Sequence, residues 1–157
     1  MSIFEPSLSP WTDRILSVLR IVAGLLFFTS GTMKLFGFPP FPAQPPPLPM
    51  PPMWEFYVAG TLEVFLGGAF TLGFLTRPIS FILAGEMAVA YFQVSFPLSF
   101  WPTANWGGPA VLHCFIFLYF MFAGAGPWSL ARPSLRGERH GNVYRSAGHR
   151  RDRRRDP

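Results

Sequence analysis

The sequence predicts an all-α protein, an antiparallel bundle of four transmembrane helices followed by a disordered basic C-terminal tail. Three observations lead there. Half of the residues are hydrophobic and only 13% are charged, against roughly 25% charged in a soluble domain. The apolar residues gather into four stretches separated by breaks rich in proline, glycine and aromatic residues. Positive charge is concentrated at one end, where nine arginines from Arg132 onward stand against Glu138, Asp152 and Asp156, a local balance of +6. With a net charge of +5, everything before Arg132 therefore sums to −1.

Residues 1–14 read as a short cytoplasmic N-terminus, and the membrane domain covers 15–130. The first span runs over about 15–36, opened by Asp13 and closed by Gly37 and the prolines after it. Arg14 and Arg20 imitate the basic start of a secretory signal. No small-residue cleavage site follows, however, and further apolar segments do, so this is a retained span. Residues 39–52 hold nine prolines and no charge, so the backbone lacks the donors that a helix or sheet needs. This segment is expected to be a polyproline-like connector outside the hydrocarbon, a stiff linker rather than a docking motif.

The second span is expected over about 54–75, with Glu63 as its interior charge. Thr76, Arg77 and Pro78 then form a connector short enough to impose an antiparallel hairpin. The third span covers about 79–96 and contains Glu86. Residues 97–109, with Phe100, Trp101, Asn105 and Trp106, suit a loop at headgroup level. The fourth span, about 110–125, is short for a bilayer, which calls for mismatch or a partly buried preceding loop.

Loop charges orient the bundle. Arg14, Arg77 and the tail at 131–157 fall on one side, while the two long loops carry no Lys or Arg beyond Lys34 at their edge, so both termini are expected in the cytoplasm. The bilayer is thus the first partner, and anionic lipid at the arginine tail is the second. Nucleic acid is not expected, since no folded reading motif accompanies the charge. The oligomeric state, including a homo-oligomer, is left open.

Candidate chemistry rests on polar side chains that must find partners inside the bundle: Arg20, Lys34, Glu63, Glu86 and His113. Each lies on a stripe of small or aromatic residues at helical spacing. These stripes are Arg20, Gly24, Phe27, Gly31 and Lys34; then Gly60, Glu63, Gly67 and Thr71; then Glu86, Ala90 and Gln93; then His113, Phe117, Phe120 and Gly124. The glycines let helices approach and mark the inward faces. A ruler of about 1.5 Å per residue from the cytoplasmic end of each span puts Arg20 at roughly 8 Å and Glu86 at roughly 10 Å, close enough in depth to pair. The same ruler puts Glu63 and His113 near 18 to 20 Å.

An isolated carboxylate in hydrocarbon tends to take up a proton, so Glu63 beside His113 forms a candidate proton-handling pair. The competing reading gives these groups a purely architectural role, with Arg20 and Glu86 fixing helix register and His113 packed in an aromatic core. Cys114 is the only cysteine. It allows neither an intramolecular disulfide nor a Cys-x-x-Cys pair, and it reads as an inert buried thiol. His140 and His149 belong to the tail, so the spans hold no bis-histidine haem site, and no metal site is expected. No cofactor is expected in the isolated chain, although a quinone needs only an apolar cleft and one or two polar groups.

A set of motifs resembles the DoxX family of small bacterial membrane proteins. It begins with Gly24-Leu25-Leu26-Phe27-Phe28 leading to Gly31, and Lys34-Leu35-Phe36-Gly37-Phe38. Glu63 with Gly67-Gly68 follows, then Gly73-Phe74-Leu75-Thr76-Arg77. The strongest part is Ala84-Gly85-Glu86-Met87-Ala88-Val89-Ala90-Tyr91-Phe92, followed by Phe96-Pro97, Asn105, Gly107-Gly108, Cys114-Phe115 and Trp128-Ser129-Leu130. The resemblance covers about 15–130. It implies a four-helix bundle in the bacterial inner membrane and an association with redox enzymes, as a subunit of thiosulfate- or quinol-oxidising complexes or a membrane partner in oxidative-stress complexes. The chain departs from the family pattern at Ser95, Pro109 and His113, where a histidine, a glutamate and a tyrosine are frequent.

The expected function is accordingly an accessory or anchoring subunit of a membrane redox complex. The alternative is a quinone-binding oxidoreductase subunit that uses Glu63 and His113. A solute transporter is disfavoured, since neither an inverted repeat nor a broken helix is evident in the sequence.

Overall fold

The computed structural model describes residues 5–43 and 48–130. Among them are four α-helices and no strand: α1 (Glu5–Phe36), α2 (Met53–Leu72), α3 (Thr76–Ala90) and α4 (Gly108–Ala123). A five-residue π-helical turn, Tyr91–Ser95, continues α3. The expected all-α class is therefore observed, with shifted boundaries. α1 begins ten residues before the expected start, and Asp13 lies inside it rather than opening it. α3 begins at Thr76, so the expected connector is its first turn. Pro78 is accommodated there because the first amides of a helix have no partner within it. The basic tail at 131–157 lies outside the described residues.

α1 packs along α2 and α3 along α4, while α2 and α3 share a smaller contact. The α1–α2 pair is antiparallel: Gly24 lies against Thr71 near one end, and Gly60 lies against Lys34 and Leu35 near the other. Close approach is the reason for the glycines. A Cβ on Gly31 would stand 2.7 Å from the Val64 amide nitrogen and 2.8 Å from the Gly60 carbonyl oxygen, both backbone atoms that cannot swing aside. The heptad spacing of Gly24 and Gly31, matched by Gly60 and Gly67, is thus a contact stripe.

α2 ends where Gly73 adopts φ 75°, with its N–H bonded back to Phe70. This left-handed residue turns the chain within three residues into α3. The turn defines a hairpin end of the helix assembly; the opposite, long-loop end carries 37–43, 48–52 and 96–107. The core between them is largely aromatic. Phe117 of α4 meets Phe27 of α1 edge-on at 5.0 Å and Phe70 of α2 at 5.2 Å, and Phe70 meets Phe120 at 5.2 Å. Edge-to-face packing at these distances adds about 0.5–1.5 kcal/mol per pair beyond burial.

Beside this aromatic core the helices bury several polar side chains, while many large apolar ones face outward. Ser17, Arg20, Glu63, Thr76 and Ser80 are buried, while Val22, Leu26, Phe65, Phe81, Phe115 and Phe122 are exposed. A surface of this kind suits an apolar solvent. Two segments, Trp11–Phe36 and Thr76–Ser95, are long and apolar enough to cross a membrane, and Gly108–Ala123 is apolar but shorter.

Candidate functional site

The five polar candidates separate into three places. Arg20 sits at the hairpin end, 1% exposed. Its guanidinium donates to the carbonyl oxygens of Ala125 and Trp128, in the segment after α4, and to that of Thr71 at 3.4 Å, in the last turn of α2. The same segment is tied down by the Trp128 amide, which donates to Ser17 Oγ at 3.2 Å, and by the Leu130 amide, which donates to the Leu72 carbonyl at 3.0 Å. Arg20 thus binds the carbonyl-rich end of α2, where a cation is favoured by the helix dipole, and the segment that follows α4.

Arg20 and Glu86 do not pair. The Arg20 guanidinium reaches the Thr71 carbonyl in the last turn of α2, so it lies at the hairpin end itself and not the roughly 8 Å inward that a ruler started at 15 gives. Glu86 stands ten residues into α3, about 15 Å from the hairpin end. Side chains also lean toward the N-terminus of their helix, which carries the Arg20 side chain toward the hairpin end and that of Lys34 toward the middle of the bundle.

Lys34, Glu63 and Glu86 form the second place. Lys34 Nζ lies 2.6 Å from Glu63 Oε1, with Ser30 Oγ at 3.4 Å from the same oxygen. The ammonium also lies 6.0 Å from the centre of the Phe56 ring. Glu63 Oε2 and both carboxyl oxygens of Glu86 are buried without a hydrogen-bond partner among the described residues. Glycine at position 60 makes this pair reachable, since Lys34 Cβ would lie 3.0 Å from a Cβ there.

These groups line a cavity of about 590 Å³ between the long-loop halves of α2 and α3. Its remaining wall is mostly aliphatic, with Leu48, Pro49, Met50 and Pro51 of the proline-rich segment among the lining residues. That segment, expected to be a plain connector, thus also contributes to the cavity. Where the two helices begin and end at the mouth, Gln93 Nε2 donates to Glu55 Oε2 at 2.8 Å. Gln93 belongs to the π-helical turn, closed by the Phe96 amide on the Tyr91 carbonyl at 2.8 Å; such wide turns are frequent at functional positions.

His113 is the third place. Its Nδ1 lies 2.8 Å from the Pro109 carbonyl oxygen one turn earlier. A carbonyl can only accept, so Nδ1 carries the hydrogen. The ring packs against Phe27 and Phe117 at 6.0 and 6.1 Å and makes no hydrogen bond to Glu63, whose partners are Lys34 and Ser30. The hydrogen-bond partner nearest to Glu63 is thus Lys34 and not His113. Cys114 is a free, half-buried thiol packed against the core. Among the described residues no cluster of three metal-ligating side chains occurs.

The sequence reading has no role for Glu55, which lies two turns before Glu63 on α2, and gives Asn105 only a place in a headgroup-level loop and in the family motif. Asn105 is fully buried and organises the second long loop: its amide donates to the Ser99 carbonyl at 2.7 Å, and its oxygen accepts from the Gly107 amide at 2.8 Å. The Asn-x-Gly spacing was the available signal.

The DoxX family model matches residues 15–95. This chain belongs to the DoxX family. It is also 37% identical over 127 residues to an uncharacterised protein of Haemophilus influenzae (strain Rd), a match that covers 79% of this chain and 93% of that one. No solved structure matches. Family membership and the apolar helices together make it a membrane protein.

Proposed function

We propose that this DoxX protein crosses the bacterial inner membrane four times, with both termini in the cytoplasm, and acts as an accessory or anchoring subunit of a membrane redox complex. The observation that carries this reading is how the interior charges are used. Arg20 is engaged by backbone carbonyls, Lys34 by Glu63 and His113 by its own helix. These groups hold the bundle together instead of converging on one reacting centre. The topology draws support from Arg77 and the arginines after Arg132, which share a side under the positive-inside rule.

The cavity favours a second reading, in which the same subunit binds a quinone-class molecule. At about 590 Å³ it falls within the usual range for small-molecule sites, roughly 300–1,000 Å³. Its polar wall would be Lys34, Glu63 and Glu86. In this reading His113 supports the core.

One purification tests both readings. The tagged protein, extracted in mild detergent, is expected to bring down a redox polypeptide, and its organic extract a quinone. A chain recovered alone and without quinone would defeat both. Truncation after Arg132 is expected to weaken recovery of the polypeptide if the tail docks it, and unchanged recovery removes that role. Reporter fusions in the proline-rich segment and at the C-terminus are expected to report opposite compartments.

A further inference from the structure

We propose that the α2–α3 cavity holds one acyl chain of a bilayer phospholipid, drawn from the leaflet at the long-loop end, with the lipid head left at the mouth. Three observations carry this. The first is the chemistry of the wall. Ala59, Leu62, Met87, Ala90 and Val94 line it with carbon. Glu63 and Glu86 line it too, yet Glu63 Oε2 and both Glu86 oxygens are buried away from accessible surface, so these residues present their hydrocarbon stems to the cavity. Glu63 Oε1 is taken by the Lys34 ammonium at 2.6 Å. Water finds few partners on such a wall, and an empty cavity forfeits the dispersion contacts of its lining. A hydrocarbon chain recovers those contacts.

The second observation is the direction of opening. Val58, Ile82 and Val89 belong to the cavity wall and are also exposed on the outer surface of the helices. The cavity therefore opens sideways, among side chains that face lipid, and a chain enters it without leaving the hydrocarbon. The third is depth. Glu55 at the mouth and Glu63 are eight residues apart on α2, about 12 Å at the helical rise. One leaflet supplies half of a hydrocarbon core roughly 30 Å thick, about 15 Å. An acyl chain whose head stands level with Glu55 and Gln93 thus runs the length of the cavity and ends near the bilayer centre. The polar groups agree with this placement, since the Gln93–Glu55 hydrogen bond and Ser95 lie at the mouth, where the head would stand.

The inference goes beyond both functions proposed above. An accessory subunit would carry the chain as part of its fold, and a quinone-class ligand would have to displace it. The test uses the full chain in nanodiscs of phosphatidylethanolamine and phosphatidylglycerol, doped with one of two photoactivatable phosphatidylcholines. One carries a diazirine near the methyl end of an acyl chain, and the other carries it on the head. Irradiation and peptide mass spectrometry then locate the label.

The chain-end probe is expected to label 59–63 and 86–90 in excess over Phe65 and Phe81, which are exposed on the outer surface. The head probe is expected to label the neighbourhood of Glu55 and Gln93. In Ala90→Phe, and from the opposite wall in Ala59→Phe, the added ring takes the place of the chain, and the excess is expected to be lost while Phe65 and Phe81 stay labelled. Chain-end labelling of the wall no stronger than that of Phe65 and Phe81 would overturn the inference, as would head-probe labelling at the level of Glu63 and Glu86. An excess unchanged in both folded variants would do the same. Wall labelling that vanishes with an equimolar amount of a decyl-substituted quinone would overturn the phospholipid as resident and favour the quinone-class reading. The wild-type labelling pattern decides the matter even if neither variant folds.

Discussion

The two ends of the bundle handle buried charge in opposite ways. At the hairpin end, Arg20 has no acidic partner among the described residues, yet it is bonded to carbonyl oxygens from two separate stretches of chain. Toward the long-loop end, Lys34, Glu63 and Glu86 are side chains of opposite sign, yet three of their oxygens have no partner among the described residues. The Thr71 carbonyl is fixed by α2, and those of Ala125 and Trp128 lie in a segment held by the Trp128 and Leu130 amides, so the guanidinium is clamped from two sides with only its Nε left without a partner among the described residues. Side-chain carboxyls beside a cavity have several arrangements available. The first arrangement is that of a structural clamp, and the second leaves room for a ligand.

The sharpest way to break this contrast is to remove the clamp. Arg20→Met keeps much of the apolar stem but strips three carbonyls of their donor. Hydrogen bonds to a charged group contribute about 1.5–3 kcal/mol each, so a loss of about 3 kcal/mol or more is expected. It would be read as a lower melting temperature in mild detergent, together with faster proteolysis after Gly124. Arg20→Lys is expected to restore only part of the loss, since one ammonium cannot reproduce the planar fork. A melting temperature equal to wild type in Arg20→Met would place the clamp elsewhere.

A smaller effect is expected at the other end. Lys34→Met leaves Glu63 without its closest partner, and Glu63→Met leaves Lys34 without its own. Removing one member of a buried pair costs about 3–5 kcal/mol when both are fully enclosed. Lys34 retains 22% side-chain exposure, so about 2 kcal/mol is the expected scale here. The double replacement is expected to recover most of that loss, because no uncompensated charge remains. Additive losses would mean that the two residues act independently, and the contrast between the ends would disappear.

The residues most legible in the sequence were those governed by periodicity. Gly24 and Gly31 with Gly60 and Gly67 announced the α1–α2 contact, and Phe27, Phe117 and Phe120 announced the core. Both follow from a helical spacing that packing does not alter. Arg20 and Glu86 do not share a level because α1 runs past the end of α2, and no residue of α1 marks where along it the neighbouring helix ends. Glu63–Lys34 was missed because both residues were placed on inward faces without a way to see the lean of the lysine side chain toward the centre. The cavity was not legible at all. It arises from how α2 and α3 are set against each other and from the proline-rich segment at its wall, neither of which is encoded in any one stretch.

The glycines give the smallest effect and separate contact from composition. Gly31→Ala would drive its Cβ against the Val64 and Gly60 backbones and force α1 away from α2. An overpacked contact of this kind costs about 1–3 kcal/mol, and the α1 shift would carry Lys34 away from Glu63. Gly85, on the outward side of α3, has nothing within 4 Å of an added Cβ. Gly85→Ala is expected to raise stability by up to about 1 kcal/mol, the helix preference of alanine over glycine. Melting curves of the two variants under identical detergent conditions should therefore move in opposite directions. If both fell, Gly85 would have to be a contact surface for something outside the described chain.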